Sequence, residues 1–197
     1  MERPHFYRYL LAVRPPPMLL PRFQALAESA GQTAALNLIH LTLCVVGESV
    51  ERDPSIRLRI ERAIAGLLLY SFPVNFSRLV MNGHGAYART FGRQDEIMDF
   101  YRALVRHLAA CGIEPMHRKS GLHPHLTLGY RACTPAVTRI GLSWFPEDLL
   151  LIESEVGRTQ HNMLACWRLL PPRQPPLPFG DSWFAIPSAD LARRSGA

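Results

Sequence analysis

Lysine is nearly absent from this sequence, in which Lys119 is the only one among 22 lysine and arginine residues. Arginine therefore carries almost all of the positive charge, and with 16 acidic residues the formal net charge is +6. Because the planar guanidinium group matches the geometry of phosphate oxygens, this composition favours a polyanionic partner without identifying one.

Cysteine is also scarce, and the four cysteines, Cys44, Cys111, Cys133 and Cys166, lie far apart. Without a Cys-x-x-Cys pair, the sequence lacks the signature of a zinc ribbon or of a dense disulfide framework. We therefore expect reduced thiols, no metal and a cytoplasmic location. No segment offers the run of about 18 apolar residues that a membrane span requires, and we expect no membrane association.

The length and apolar fraction, 197 residues and 48%, suffice to bury the core of one globular domain. Prolines cluster near Pro15 and again from Pro171 onward. We predict one domain over residues 1–170 and a proline-rich tail over residues 171–197, partly docked or flexible. We expect the protein to be a monomer.

Apolar periodicity predicts an α+β fold. Helices are predicted over residues 15–31, from residue 53 to before Pro73, and over residues 95–112. Strands are predicted at residues 6–13, 36–46, 74–81, 86–91, 123–130, 148–156 and 162–169. The glycines at residues 83 and 85 resemble part of a dinucleotide-binding loop, but a strand follows them, so we interpret residues 82–85 as a hairpin turn.

The four-residue sequence His-Leu-Thr-Leu occurs twice, at residues 40–43 and 125–128, each time inside a predicted strand. Side chains alternate between the two faces of a strand. His40 and Thr42 therefore share one face, His125 and Thr127 share the corresponding face, and the leucines point to the core. A single histidine in a strand is usually structural, but an identical second copy favours a functional pair.

Two histidines suit acid and base catalysis at neutral pH, because the ordinary imidazole pKa is about 6.5. Cleavage of a phosphodiester by in-line attack needs a base for the entering oxygen, an acid for the leaving oxygen and donors to the non-bridging oxygens. His40 and His125 supply the first two, and the hydroxyl groups of Thr42 and Thr127 supply the third. This scheme requires neither a metal nor a cofactor.

Three segments carry a resemblance to a known family: FYRYLLAVRPPP at residues 6–17, NLIHLTLCVVGE at residues 37–48 and HPHLTLGY at residues 123–130. They resemble the two-histidine phosphoesterase superfamily, in particular its LigT-like branch of bacterial RNA 2′,3′-cyclic phosphodiesterases, also called 2′-5′ RNA ligases. The resemblance implies two pseudo-symmetric lobes of mainly antiparallel strands, backed by helices, with a central cleft and one histidine motif in each lobe.

By this resemblance His40 and His125 are the catalytic pair, with His40 assigned as the acid and His125 as the base, and Thr42 and Thr127 bind the phosphate. Water would open a 2′,3′-cyclic phosphate at the end of an RNA or a nucleotide to a 2′-phosphate. Related branches act on 2′-5′ linkages, cyclic nucleotides or ADP-ribose cyclic phosphate, and these alternatives stay open. So does a non-catalytic module that binds RNA ends.

Several further residues are candidates. Arg131 shares strand parity with His125, so it either binds a phosphate oxygen or faces solvent. Arg118 and Lys119 would line the rim of the groove, and Tyr130 would stack on a base or pack in the core.

Two residues near the motifs have structural interpretations. We expect Cys44 to pack or to line the cleft and not to act as a nucleophile. His123, two residues before a motif histidine, is expected to orient a neighbour and not to bind metal.

Overall fold

In a computed structural model, which describes residues 5–90, 92, 94–116, 121–158 and 160–172, eight strands form a single sheet. The strands are β1 (Phe6–Val13), β2 (Leu41–Ser49), β3 (Val74–Asn82), β4 (Gly85–Arg89), β5 (His125–Gly129), β6 (Ala136–Trp144), β7 (Asp148–Val156) and β8 (Gln160–Arg168). Three α-helices accompany them: α1 (Leu20–Ser29), α2 (Ser55–Ile64) and α3 (Asp95–Ala110).

The strand order is β6-β3-β4-β5-β2-β1-β7-β8, and neighbouring strands are antiparallel throughout. We call β2, β1, β7 and β8 the first half of the sheet and β5, β4, β3 and β6 the second half. The halves meet where Leu41 of β2 pairs with Leu126 of β5. This arrangement confirms the expected α+β fold with two related lobes of antiparallel strands.

Two of the three helices, α1 and α3, cross between the halves. Helix α1 follows β1 of the first half but packs against the second, where the ring of Phe23 lies 5.9 Å from that of Trp144. Helix α3 follows β4 of the second half but contacts β2 of the first. Its first turn carries Asp95 and Glu96, which stabilise the positive end of the helix dipole. Helix residues and one face of the sheet bury a common core, and the opposite face is not part of it.

Both motifs contribute their leucines to this core, as the alternation of side chains predicts. The exposed fraction is 0% for Leu41 and Leu126 and no more than 3% for Leu43 and Leu128. Fully burying a leucine side chain stabilises a fold by about 1.5–3 kcal/mol, so each motif is also an anchor of the sheet.

Three predicted boundaries were wrong. The helix predicted from residue 15 begins as a 3₁₀ turn at Pro17–Leu19, and α1 itself starts at Leu20. The strand predicted from residue 36 begins only at Leu41, because residues Leu36–Leu38 form a 3₁₀ turn. The helix predicted to run toward Pro73 ends at Ile64, because Gly66 adopts a φ of +80°, a left-handed conformation that stops a helix.

One strand was missed altogether. The strand β6 lies at the edge of the sheet, and only Leu142 and Trp144 among its residues are buried. Apolar alternation is confined to its last five residues, where Ile140, Leu142 and Trp144 alternate with small residues, a run short enough to be overlooked. The predicted hairpin is present, and in its turn the backbone N–H of His84 donates to the side chain of Asn82 over 2.8 Å.

Among the described residues, no helix combines the length and apolar character needed to span a membrane. Residues 173–197, which make up nearly all of the predicted tail, lie outside the part of the chain that the structure describes. Arg118 and Lys119 lie outside it as well.

Candidate active site

The two motifs meet at the junction between the halves of the sheet. His40 directly precedes β2, and His125 is the first residue of β5. Because Leu41 pairs with Leu126, continuing the antiparallel register by one residue places His40 beside Thr127 and His125 beside Thr42. The structure thus brings the two imidazoles and two hydroxyls together on the face opposite the core, each histidine next to the threonine of the other motif.

The two imidazole rings are held in the same way. The Nδ1–H of His40 donates to the carbonyl oxygen of Leu38 over 2.7 Å, and the Nδ1–H of His125 donates to that of His123 over 2.8 Å. A carbonyl oxygen only accepts, so each neutral ring carries its proton on Nδ1 and its lone pair on Nε2. His123 therefore orients His125, as expected, but through its backbone and not through its side chain.

The surroundings of His40 favour the neutral ring. Burial lowers the pKa of His40 below its usual 6.5, the hydrogen bond to Leu38 opposes this effect, and the positive charges of Arg14 and His125 lower the pKa further. At neutral pH His40 is therefore unprotonated and able to accept a proton.

Two residues that the sequence analysis did not single out complete the polar cluster. The ring of His161 stands edge-on to that of His40, with centroids 5.0 Å apart. Burial, together with the charges of His40 and Arg14, lowers the pKa of His161 to about 4. The Nε atom of Arg14 and the Nδ1 atom of His161 are buried without a hydrogen-bond partner in the described part of the chain.

The position of His161 could not be inferred from sequence, since β8 lies three strands away from β2 in the sheet. A contact of 5.0 Å between the rings of His40 and His161 requires this face to be concave. Arg14 does have a sequence signal. It continues the alternation of Leu10 and Ala12, which face away from the main core in a cluster of their own.

Arg131 is not placed by strand alternation, because β5 ends at Gly129. Its Nη1 atom lies 3.5 Å from the carbonyl oxygen of Gly31. The buried side chain of Gln32 fixes the backbone of Arg131 by two hydrogen bonds. Nε2 of Gln32 donates to the carbonyl oxygen of Arg131 over 2.9 Å, and the backbone N–H of Arg131 donates to Oε1 of Gln32 over 3.0 Å. A role of Arg131 at the phosphate stays a prediction.

The structure also locates the two remaining candidates, Cys44 and Tyr130. Cys44 is buried, and burial raises the pKa of its thiol to about 12, which suppresses the nucleophilic thiolate. The side chain of Tyr130 is 77% exposed, so it is not a core residue. Within the described residues, no group of three or more histidine, cysteine or acidic side chains is arranged to hold a metal ion.

A cavity of about 550 Å³ opens beside Arg14. Apolar side chains dominate its walls, and Asn37 together with a few charged residues lies among them. The lining residues are Arg14, Pro15, Pro16, Pro17, Leu20, Leu36, Asn37, Ile39, Phe145, Glu147, Asp148, Leu150, Met163 and Cys166.

Solved structures with the same fold include a phosphoesterase, with a TM-score of 0.66, 19% identity and coverage of 82% of this chain and 98% of the other. Escherichia coli LigT in complex with 3′-AMP gives a TM-score of 0.63 and 20% identity over 83% of this chain and 98% of LigT. TT0787 of Thermus thermophilus gives a TM-score of 0.63 and 18% identity, with coverage of 82% of this chain and 97% of TT0787. Among curated protein sequences, none matches the chain significantly.

The family comparison is more specific than the structural one. The model of the 2′-5′ RNA ligase superfamily matches residues 15–158, a segment that contains both histidine motifs. The two-lobed fold is shared with LigT, and because the family model matches most of the chain, the protein belongs to the 2′-5′ RNA ligase superfamily.

Proposed function

We propose that this protein is a metal-independent phosphodiesterase that opens 2′,3′-cyclic phosphate ends of RNA or nucleotides to 2′-phosphates. The observation that carries the proposal is the matched anchoring of His40 and His125, whose Nδ1 atoms both donate to the carbonyl oxygen two residues earlier. This anchoring leaves Nε2 of each ring as the atom that exchanges protons. Acid and base catalysis of a phosphodiester needs two such groups on one face.

The lowered pKa of His40 supports the reverse of the roles assigned from the resemblance, with His40 as the base. In this scheme Nε2 of His40 takes a proton from water as the water oxygen attacks phosphorus. The bond between phosphorus and the 3′ oxygen breaks, and protonated His125 gives its proton to that oxygen. The products are a 2′-phosphate and a free 3′-hydroxyl group, and a proton passing from His40 to His125 through solvent resets the pair.

Charge on the phosphate would be met by three groups near the histidines. The hydroxyls of Thr42 and Thr127 donate to non-bridging oxygens, and the guanidinium group of Arg14 supplies a positive charge close to His40. Its buried Nε has no partner in the described residues, and leaving such a donor unsatisfied costs about 1–3 kcal/mol. A phosphate oxygen would relieve this cost, so Arg14 joins Arg131 as a proposed phosphate ligand.

The nucleoside would occupy the cavity beside Arg14. Its apolar walls include Phe145 and Met163, which offer surfaces for a nucleobase, and Asn37 offers a hydrogen-bonding amide. Crystal structures of LigT in complex with 3′-AMP, with phosphate and with ATP show that a protein of this fold binds such ligands, which supports a nucleotide substrate here.

The proposal is tested by incubating the protein with a short RNA ending in a 2′,3′-cyclic phosphate, in the presence of a chelator, and resolving 2′-phosphate from 3′-phosphate products. We expect the 2′-phosphate, and we expect its formation to disappear in the His40→Ala and His125→Ala variants. A 3′-phosphate product, or a rate that requires added divalent metal, would contradict the scheme.

The superfamily match also favours a second candidate, cleavage or formation of 2′-5′ linkages in the same cleft. A 2′-5′-linked dinucleotide distinguishes the two activities, because its turnover without turnover of the cyclic phosphate would identify the second. Binding of the RNA end with no product from either substrate would identify a non-catalytic module.

A further inference from the structure

Three arginines extend from His125 across the second half of the sheet. Arg89 of β4 pairs with His125, Arg78 of β3 pairs with Arg89, and Arg139 of β6 pairs with Arg78. Directly paired residues in an antiparallel sheet point to the same face. We call Arg89, Arg78 and Arg139 the arginine row. The row and His125 therefore lie side by side on the face opposite the core.

The row has no acidic counterpart on its own strands. The strands β3, β4, β5 and β6 together contain these three arginines and no aspartate or glutamate. In the first half of the sheet, by contrast, β2, β7 and β8 carry charged residues that form ion pairs, such as Glu153 with Arg52 and Arg168 with Asp148. The positive charge of the second half is thus not neutralised within its strands.

The ends of the row are accessible. Arg89 and Arg139 are exposed, and neither forms an ion pair with another described residue. The guanidinium group of Arg89 lies 5.7 Å from the ring centre of Tyr87, within the range of a cation–π interaction. Like charges directly opposite one another on a sheet repel, and an anion bound along the row would reduce this repulsion.

The length of the row discriminates between substrates. Neighbouring strands are about 4.8 Å apart, so Arg139, three strands from His125, lies roughly 14 Å away along the sheet. A mononucleotide whose only phosphate sits at the histidines does not reach that far. A longer strand does, because the chain continues from the terminal nucleotide in the 5′ direction and carries one phosphate per nucleotide.

We infer that the arginine row binds the backbone phosphates of a single-stranded RNA upstream of its cyclic end, so that the preferred substrate is an oligonucleotide and not a mononucleotide. The inference rests on the proposed function for the position of the RNA end, at the two histidines. The row recognises phosphates and not bases, which predicts little dependence on base sequence. The exposed ring of Tyr130 is available to stack on a base without selecting one.

The test compares two substrates with the same terminal nucleotide, a 2′,3′-cyclic mononucleotide and a hexanucleotide ending in the same cyclic phosphate. For the unmodified protein we expect a higher kcat/KM with the hexanucleotide, through a lower KM. In Arg139→Gln the ratio of the two kcat/KM values falls by about tenfold. The slope of log(kcat/KM) against log(salt) for the hexanucleotide becomes shallower by about 0.7, the value for one phosphate contact on a single strand.

Arg106→Gln is the matched control, because it removes one exposed arginine from α3, the helix that packs on the core side of the sheet. The ratio stays unchanged in this variant. If Arg139→Gln and Arg106→Gln behave alike, the row does not bind RNA, and Arg139 serves another purpose, such as guarding the sheet edge against aggregation.

Failure of the proposed function is distinguishable from failure of the inference. If neither substrate is turned over, binding of a fluorescent hexanucleotide with a 3′-phosphate is measured by anisotropy for the unmodified protein, Arg139→Gln and Arg106→Gln. Weaker binding in Arg139→Gln alone supports the row even without turnover. Equal binding in all three proteins overturns it.

Discussion

His161 stands edge-on to His40, with 5.0 Å between the ring centroids, although β8 and β2 are separated by two other strands. Its pKa is lowered to about 4, so at neutral pH it presents an uncharged ring to His40 and adds no positive charge beside it. The pKa of His40 is therefore set by burial, by the opposing hydrogen bond to Leu38 and by the charges of Arg14 and His125.

Replacing Arg14 with glutamine removes a charge that lowers the pKa of His40. If His40 is the base, protonation inactivates it, and the acid limb of the kcat/KM profile lies below pH 6.5. In Arg14→Gln this limb moves to higher pH, because His40 then binds a proton more readily. An NMR titration of His40 measures the same change independently of turnover. His84→Gln, in the exposed hairpin turn, serves as the control, and an unshifted His40 titration in Arg14→Gln would contradict the prediction.

Removing either motif histidine is expected to lower kcat by about 10²–10⁴-fold. Because the two rings act on one reaction as a unit, the double variant His40→Ala/His125→Ala loses little beyond the slower single variant. Turnover of the cyclic phosphate measures all three. Cys44→Ala removes a buried thiol from the strand that follows His40 and retains most of the activity. Loss of turnover in Cys44→Ala with retention in His125→Ala would refute the two-histidine scheme.

His161 also makes the stability of the fold depend on pH. Its pKa is about 4 in the folded protein and about 6.5 when unfolded, so between these values the unfolded chain binds the extra proton and stability falls as the pH falls. His161→Gln removes this contribution. Because the ring is only half-buried, solvent screening weakens the effect, and the loss in free energy of unfolding between pH 7 and pH 5 becomes smaller by about 1 kcal/mol or less. Urea denaturation at the two pH values measures it, and an equal loss in both proteins would rule out a lowered pKa of the half-buried His161 ring.

Gln32 is buried and makes two hydrogen bonds to the backbone of Arg131. In Gln32→Ala these backbone groups lose their partner, which costs about 1–3 kcal/mol. The melting temperature is expected to fall by about 2–4 °C for each kcal/mol. Gln24→Ala is the matched control, since Gln24 lies exposed on the preceding helix α1 and contacts Glu28. Equal melting temperatures for the two variants would mean that the contacts of Gln32 contribute no net stability.

Much of the fold was predictable, because local apolar periodicity and flanking proline or glycine residues mark β1, β7 and α3. The elements that were missed or misplaced depend on where a segment lies in the finished sheet. The strand β6 contains few buried side chains because it lies at an edge, and the 3₁₀ turn before His40 depends on how the chain enters the junction between the halves of the sheet. Apolar alternation marks only the last five residues of β6, and no local pattern encodes the 3₁₀ turn.

The candidate site likewise contains residues that could be predicted from sequence and residues that could not. His40, Thr42, His125 and Thr127 were found because a repeated motif needs no knowledge of the fold. Their neighbouring positions follow from the pairing of Leu41 with Leu126, which the sequence does not reveal. Arg14 could have been predicted from the alternation of side chains along β1, whereas the approach of His161 to His40 depends on the curvature of the sheet.

The order in which the strands occur along the chain has a consequence for synthesis. The second half of the sheet is one continuous stretch that is complete at Trp144, and α1, which covers it, has been made by then. The first half combines β1 and β2 with β7 and β8, so β1 lacks its second neighbour until β7 emerges. Because a domain folds as a unit during synthesis, this sheet cannot close before β7 and β8 have emerged from the ribosome. The pair of histidines comes together only when nearly all of the described chain has been translated.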